Sequence, residues 1–280
     1  MRYYDIGGIR FSLNGPPFKE SSYLAPFRCE PCLTEVEFTV ELGHPAVPTE
    51  LSPVKATLHT KEFSLLGRKI QAVFQEHSDR LLLTKEEISP KKYQICLEET
   101  CADLYDNNLV LKIIDLPQLF LSYGALFLHA SLVIHKGRAI LFSAPKQTGK
   151  STQATLWEIH RNAQIVNGDR VLLRFMDGTW MAYGSPYCGT SGICQNAACP
   201  IGALVLLQQG KVNEIRKASP SKIVAAFLDG CTFDPETQTE TVLDIALSLS
   251  QTVPVLHFSC LPDASAVDFL DSALATLPFL

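Results

Sequence analysis

Eight consecutive residues constrain this chain more than any others: Ala144-Pro145-Lys146-Gln147-Thr148-Gly149-Lys150-Ser151. Seven of the eight positions satisfy the pattern G-x-x-x-x-G-K-[ST], with Ala144 standing where the first glycine belongs. The run 138–142 before it reads as a strand, and a helix is expected from about 149 to 159. A strand that enters a tight loop and leaves as a helix turns backbone N–H groups and the positive end of a helix dipole toward one point. Such a point suits the phosphates of a nucleotide. In this pattern Gly149 lets the backbone approach the anion, the Lys150 ammonium reaches the β- and γ-phosphates, and the Ser151 hydroxyl is placed to hold Mg²⁺. Thr152 extends the nucleotide-contacting segment by one residue. Alanine at 144 is strained if that position needs positive φ, and harmless if it needs only a small side chain.

Phosphoryl chemistry also needs a carboxylate, to hold the metal or to take a proton. The end of the next strand is the natural place for it. Ile165-Val166-Asn167-Gly168-Asp169-Arg170 supplies two apolar residues, a break, and then Asp169, eighteen residues after Ser151. The same residue can serve as base or as metal ligand, and Arg170 can face phosphate or a neighbouring acid.

Around this segment the chain divides into two parts. Residues 1–112 read as an antiparallel β-rich accessory domain. Short runs at 9–13, 35–40, 54–59, 70–74 and 81–84 are separated by turn formers such as Asn14-Gly15-Pro16-Pro17 and Ser89-Pro90. Residues 113–280 read as α/β. A helix is expected over 117–126, then a hairpin of 131–134 and 138–142 around Lys136-Gly137, and a second hairpin around Asp177-Gly178. A buried strand is expected at 203–207. Ser219-Pro220 and Asp234-Pro235 each pair an N-cap with proline at the first helical position, and open helices running to 227 and 249. Strand 255–260 and helix 264–274 close the chain.

Composition narrows the partners. A formal net charge of −5 does not suit a surface that coats nucleic acid. No run of 18 apolar residues suggests a membrane span, and the first fifteen residues carry no signal-peptide pattern, so a cytoplasmic chain is expected. Nine scattered cysteines make a poor disulfide framework. Cys29-Glu30-Pro31-Cys32 lacks a second pair at zinc spacing, since Cys96 and Cys101 are spaced wrongly, and incidental thiols are the expectation.

His129-Ala130-Ser131, the Lys136-Gly137 hairpin, the phosphate-loop segment and Asn167-Gly168-Asp169-Arg170-Val171 together resemble the catalytic domain of HPr kinase/phosphorylase, over roughly residues 125–275. That group shares its core with ATP-dependent phosphoenolpyruvate carboxykinase. The resemblance implies a mixed-sheet P-loop kinase core in which an antiparallel strand precedes the loop strand. It implies ATP and Mg²⁺ as cofactors, a place for His129 beside the phosphates, and a recurring element at Gly184-Ser185-Pro186-Tyr187-Cys188-Gly189. The catalytic set is then Asp169, Lys150 and His129, with Ser151 and Asp169 as metal ligands. The chain departs from the group in three places. Ala144 opens the loop, Gly168 stands where two consecutive acids are common, and Thr152 stands where true HPr kinases carry an acid.

The activity implied is transfer of the γ-phosphoryl group of ATP to a hydroxyl, on a peptide, a small protein or a metabolite. A nucleotide-binding regulatory module without transfer and a carboxykinase-like lyase are the alternatives. Self-association is left open.

Overall fold

The computed structural model describes residues 1–16, 23–48, 50–57, 60–75, 78–100, 111 and 114–276. It divides into two compact units, Met1–Asp115 and Leu116–Leu280. No described helix is long and apolar enough to cross a membrane.

The first unit contains β1 (Arg2–Ile6), β2 (Ile9–Asn14), β3 (Arg28–Cys29), β4 (Val36–Gly43), β5 (Lys55–Ala56), β6 (Thr60–Leu65), β7 (Arg68–Phe74), β8 (Leu81–Ser89) and β9 (Lys92–Glu98). They form one sheet in the order β3-β1-β2-β4-β9-β8-β7-β6-β5. Strict alternation places Val36, Phe38 and Val40 of β4 on the buried face. Phe11 bridges neighbouring strands there, stacked on Tyr4 at 5.1 Å and edge-on to Phe38 at 6.2 Å. The β2–β4 and β4–β9 pairings are parallel, which amends the antiparallel expectation for this half. Both pairings join strands separated by long connections, and long connections allow a strand to return in the same direction. The strand expected at 54–59 survives as β5, with residues 58 and 59 outside the described residues, as is Cys101. Cys29 and Cys32 are free thiols with their sulfurs 3.8 Å apart.

The second unit is mixed α/β: α1 (Leu116–Leu121), β10 (Ala125–His135), β11 (Arg138–Ser143), α2 (Lys150–Arg161), β12 (Gln164–Asn167), β13 (Arg170–Met176), β14 (Thr179–Tyr183), β15 (Ala198–Gln209), β16 (Glu214–Lys217), α3 (Pro220–Gly230), α4 (Pro235–Thr252), β17 (Val255–Cys260) and α5 (Ala264–Thr276). The helix expected over 117–126 stops at Leu121. Gly124 takes φ +67, and the apolar run after it joins β10. A run that is buried on both faces has no periodicity to separate strand from helix.

Both expected hairpins form. Lys136 and Gly137 have φ +49 and +72, and Asp177 and Gly178 have +49 and +80, the paired positive values of a type I′ turn. Ser219 and Asp234 cap α3 and α4 by accepting from Lys222 N and Glu236 N.

β10 and β15 are long enough to serve two layers. The first part of β10 pairs with β13, and its second part with β11 and β12. The start of β15 pairs with β14, while the rest lies parallel to β11 and β17. The ring β10-β13-β14-β15-β11 therefore closes on itself. One face of the parallel strands buries Phe142, Val205 and Phe258 against Trp157 of α2 and Leu270 of α5. The other buries Leu141, Leu204 and Leu206 with Phe227 of α3 and Leu249 of α4. Each such side chain contributes roughly 1.5–3 kcal/mol on burial. The loop at the end of β11 thus rests on a rigid floor.

Candidate functional site

β11 ends at Ser143, and the next six residues turn the chain into α2. Gly149 sits at the N-cap with φ +116 and gives no side-chain cap. The first N–H groups of a helix have no partner within it, so here they remain directed at the loop. Ala144 is not among the positive-φ residues, so alanine is unstrained there. The left-handed geometry falls on Gln147, at φ +65. Gln209 at the end of β15 donates to Gln147 O at 3.2 Å and braces that residue.

Lys150 is the first residue of α2, and it is buried. Its Nζ folds back over the loop to donate to Ala144 O at 2.8 Å and Pro145 O at 3.2 Å. Burial pushes its pKa below the usual lysine value, the nearby Asp169 charge pulls it back up, and Lys146 adds to the lowering. Pro145, Lys146 and Gln147 are exposed, Thr148 is half-buried, and Ser151 and Thr152 are exposed on the first turn of α2.

Asp169 reaches the same end of the sheet from the other side. β12 and β13 both pair with the same edge of β10, and Gly168-Asp169 forms the break between them. Across that break Ala130 N donates to Asp169 O at 2.9 Å. On the opposite edge of β10, Ala130 is paired with Ser143. The start of the loop after β11 and Asp169 therefore flank one residue of β10, about 10 Å apart across two strand spacings.

His129 tightens the junction. Its Nδ1 lies 3.1 Å from both Asp169 O and Asp169 Oδ1. A carbonyl and an ionised carboxylate only accept, so Nδ1 carries the proton. Ser143 Oγ donates to His129 O at 3.1 Å, which ties the loop strand to this histidine. His129 Nε2 is buried and has no hydrogen-bond partner among the described residues.

The hydrogen bond from His129 holds the Asp169 carboxyl below its ordinary pKa. Burial opposes this, and the charges of His129, Arg170 and Lys150 reinforce it. A depressed carboxyl contributes stability above its unfolded value of about 3.9 and loses it as pH falls through the folded value. The stability gap between wild type and Asp169→Asn is therefore expected to be full near neutral pH and to narrow as pH falls below about 3.9, toward the lower folded value. Urea denaturation at a series of pH values reads this gap, and a gap that does not narrow on acidification contradicts the assignment.

The site contains residues that the motif alone does not reveal. Asn167 is fully buried. Its Oδ1 accepts from Asp169 N and Arg170 N, each at 2.9 Å, while its Nδ2 donates to Ser185 O at 2.9 Å and Tyr187 O at 3.3 Å. The Ser185 hydroxyl donates to Arg170 O, and Arg170 N donates to Tyr187 O at 3.2 Å. The segment singled out at 184–189 is thus the clamp that holds Asp169 in place. A Cβ on Gly189 would lie 2.8 Å from Asp169 Cγ, and one on Gly184 would lie 1.9 Å from Gln195 O. Gln195 O is backbone and cannot swing aside. Gly184→Ala is accordingly expected to cost about 1–3 kcal/mol and to lower the melting temperature by several degrees in a calorimetric scan. An unchanged melting temperature counts against this packing.

Arg170 donates from Nη1 to the Thr232 hydroxyl. Arg138 and Arg174 each stand five residues along the chain from Ser143 and Asp169, which is about 17 Å away. The three arginines do not gather at the loop. Among the described residues, no three His, Cys, Asp or Glu side chains converge as an all-protein metal site.

No protein-family model matches the chain, and no curated protein matches it. Among solved structures it is similar to the Hpr(Ser) kinase/phosphatase from Coxiella burnetii, at 12% identity and a TM-score of 0.31, over 53% of this chain and 87% of that one. A likeness of that size does not establish a function, and the fold class stands on the strands and helices described above.

Proposed function

We propose that the second unit binds ATP on the loop from Ala144 to Thr152 and transfers its γ-phosphoryl group to a hydroxyl acceptor. One observation carries the reading. A buried lysine lies on the inside of a helix-opening loop, within electrostatic reach of a carboxylate that is held in its ionised form. The loop carbonyls that now receive Lys150 Nζ are weaker partners for an ammonium than phosphate oxygens. A phosphate chain would draw the amine away from them and raise its pKa.

Ser151 and Asp169 would hold Mg²⁺ as two oxygen donors, the ligand type this ion takes, together with phosphate oxygens. The ion's contribution when bound is to neutralise charge on the transferring group. The residues of the chain supply the rest. Lys150 orients the terminal phosphates, the amides from Gln147 to Ser151 cradle them, and Asp169 holds the ion or receives the acceptor's proton. His129 keeps Asp169 ionised through Nδ1–H and leaves Nε2 as a further polar group near the site.

One observation favours the second reading, a nucleotide-binding module without transfer. A Cβ at Gly168 would lie 2.0 Å from Ser191 Oγ, so the position before Asp169 has no room for a second acid. The two readings separate cleanly. Calorimetry with ATP and magnesium tests binding, and intact-mass screening of peptide, protein and metabolite acceptors tests for the gain of one phosphate. Binding without any phosphorylated product decides for the module. No heat from ATP, ADP or GTP refutes both.

A further inference from the structure

A second polar cleft opens on the same sheet, on the far side of the phosphate loop from Asp169. Its volume is about 390 Å³, and it lies where β15, β16 and β17 meet the start of α3. Register fixes its position. Ser143 pairs with Leu206, and Leu206 pairs with His257, so His257 stands two strands from the start of the loop, about 10 Å away. Directly paired residues of parallel strands share a face, which puts His257 on the Ser143 side of the sheet.

The charges in this cleft do not balance. Arg216 and Lys222 face it, against the single acid Glu214, which pairs with Arg216; Lys217 borders it, but it pairs with Leu256 and its side chain alternates to the other face of the sheet. Lys222 Nζ rests 2.9 Å from His257 Nε2. An ammonium only donates, so the imidazole nitrogen accepts and is unprotonated in that contact. Gln208 Oε1 lies 2.9 Å from the same nitrogen. An amide oxygen only accepts, so this contact asks Nε2 to carry a proton while Lys222 asks it to be bare, and one nitrogen meets only one of the two. Lys222 thus faces a ring nitrogen that a second group competes for, where an ammonium ordinarily finds a carboxylate. Burial, followed by the charges of Lys222 and Arg216, lowers the His257 pKa, with Glu214 acting the other way. The hydroxyl of Ser219 opens α3 at the rim of the cleft, where the helix's positive end adds to the field. The open ends of parallel strands are also where α/β sheets bind ligands.

We propose that this cleft is a second anion site, which takes a phosphoryl dianion independently of the nucleotide loop. Arg216 and Lys222 are the principal partners, and the His257 ring becomes protonated when the anion arrives. Arg216 and Lys222 against Glu214 leave one positive charge, and a protonated His257 makes two, which matches a dianion.

Inorganic phosphate is the probe. Titration of the full chain, saturated with magnesium and a non-hydrolysable ATP analogue, is followed by calorimetry and by the ring resonances of His257, assigned with His257→Gln. Phosphate is expected to bind and to move those resonances toward the protonated form. Arg216→Ala with Lys222→Ala is expected to weaken binding at least tenfold, and Lys150→Ala is expected to leave it unchanged. The single variant Lys222→Gln gives the same test with less perturbation. Displacement of phosphate by the ATP analogue, or its loss in Lys150→Ala, places the anion on the loop and overturns the proposal. Unchanged affinity in both cleft variants overturns it as well. Acetate serves as the arm for a carboxylate: tighter binding of acetate than of phosphate overturns the phosphoryl assignment.

Discussion

Lys150→Ala is expected to lower ATP-dependent phosphoryl transfer by at least about a hundredfold, the scale of losing one preorganised charge donor at a developing anion. The fold should survive the change. The side chain gives up two hydrogen bonds to Ala144 O and Pro145 O, but the protein no longer has to bury an ammonium. Calorimetry should show ATP affinity falling with activity, while circular dichroism and the melting temperature stay close to wild type. Arginine at the same position is not a rescue. A planar guanidinium has a different reach and hydrogen-bond geometry from the compact ammonium that now meets Ala144 O and Pro145 O. Full activity in Lys150→Ala would mean that the loop does not act on the nucleotide at all.

Asp169→Asn separates binding from chemistry. Asparagine keeps the shape and can still accept from His129 Nδ1, but it can neither take a proton nor bring a negative charge to the ion. Turnover is expected to fall by about 10²–10⁴, the range for removal of a positioned base. Nucleotide affinity should change only a few-fold. Single-turnover measurement of phosphate gained by an acceptor, alongside calorimetry with the ATP analogue, reads both quantities. Retained transfer removes Asp169 from the chemistry. A collapse in affinity equal to the collapse in turnover makes the residue a binding group only. His129 acts through Asp169 in this scheme. Substitution of the histidine should therefore shift the acid limb of the pH–rate profile upward, because the carboxyl loses the hydrogen bond that keeps it ionised.

Much of the second unit was legible in the residues. Positive-φ turns announce themselves through Lys136-Gly137 and Asp177-Gly178, and capping through Ser219-Pro220 and Asp234-Pro235, because these depend on a few adjacent residues. The strand, loop and helix around Lys150 follow from the same local logic. The end of α1 was harder to place. The run 125–128 is apolar at every position, and only its pairing with β13 makes it a strand. β16 was missed because it is exposed and charged, and it exists as the antiparallel partner of β17. The parallel pairings of β4 were also invisible, since direction follows from how the connections run.

The residues by themselves determined the chemistry available at the loop: a glycine able to take φ +116, a lysine one position later, and a hydroxyl after that. They also determined that a carboxylate follows at the end of the next strand, because identity and short spacing are properties of the chain. Only the tertiary structure decided that Asp169 is clamped by Asn167 and Ser185, that Gly168 has no space for a second acid, and that Arg216, Lys222 and His257 share a cleft beside the loop. Those relations join residues up to 49 positions apart, through hydrogen bonds and steric limits that exist once the strands have taken their register.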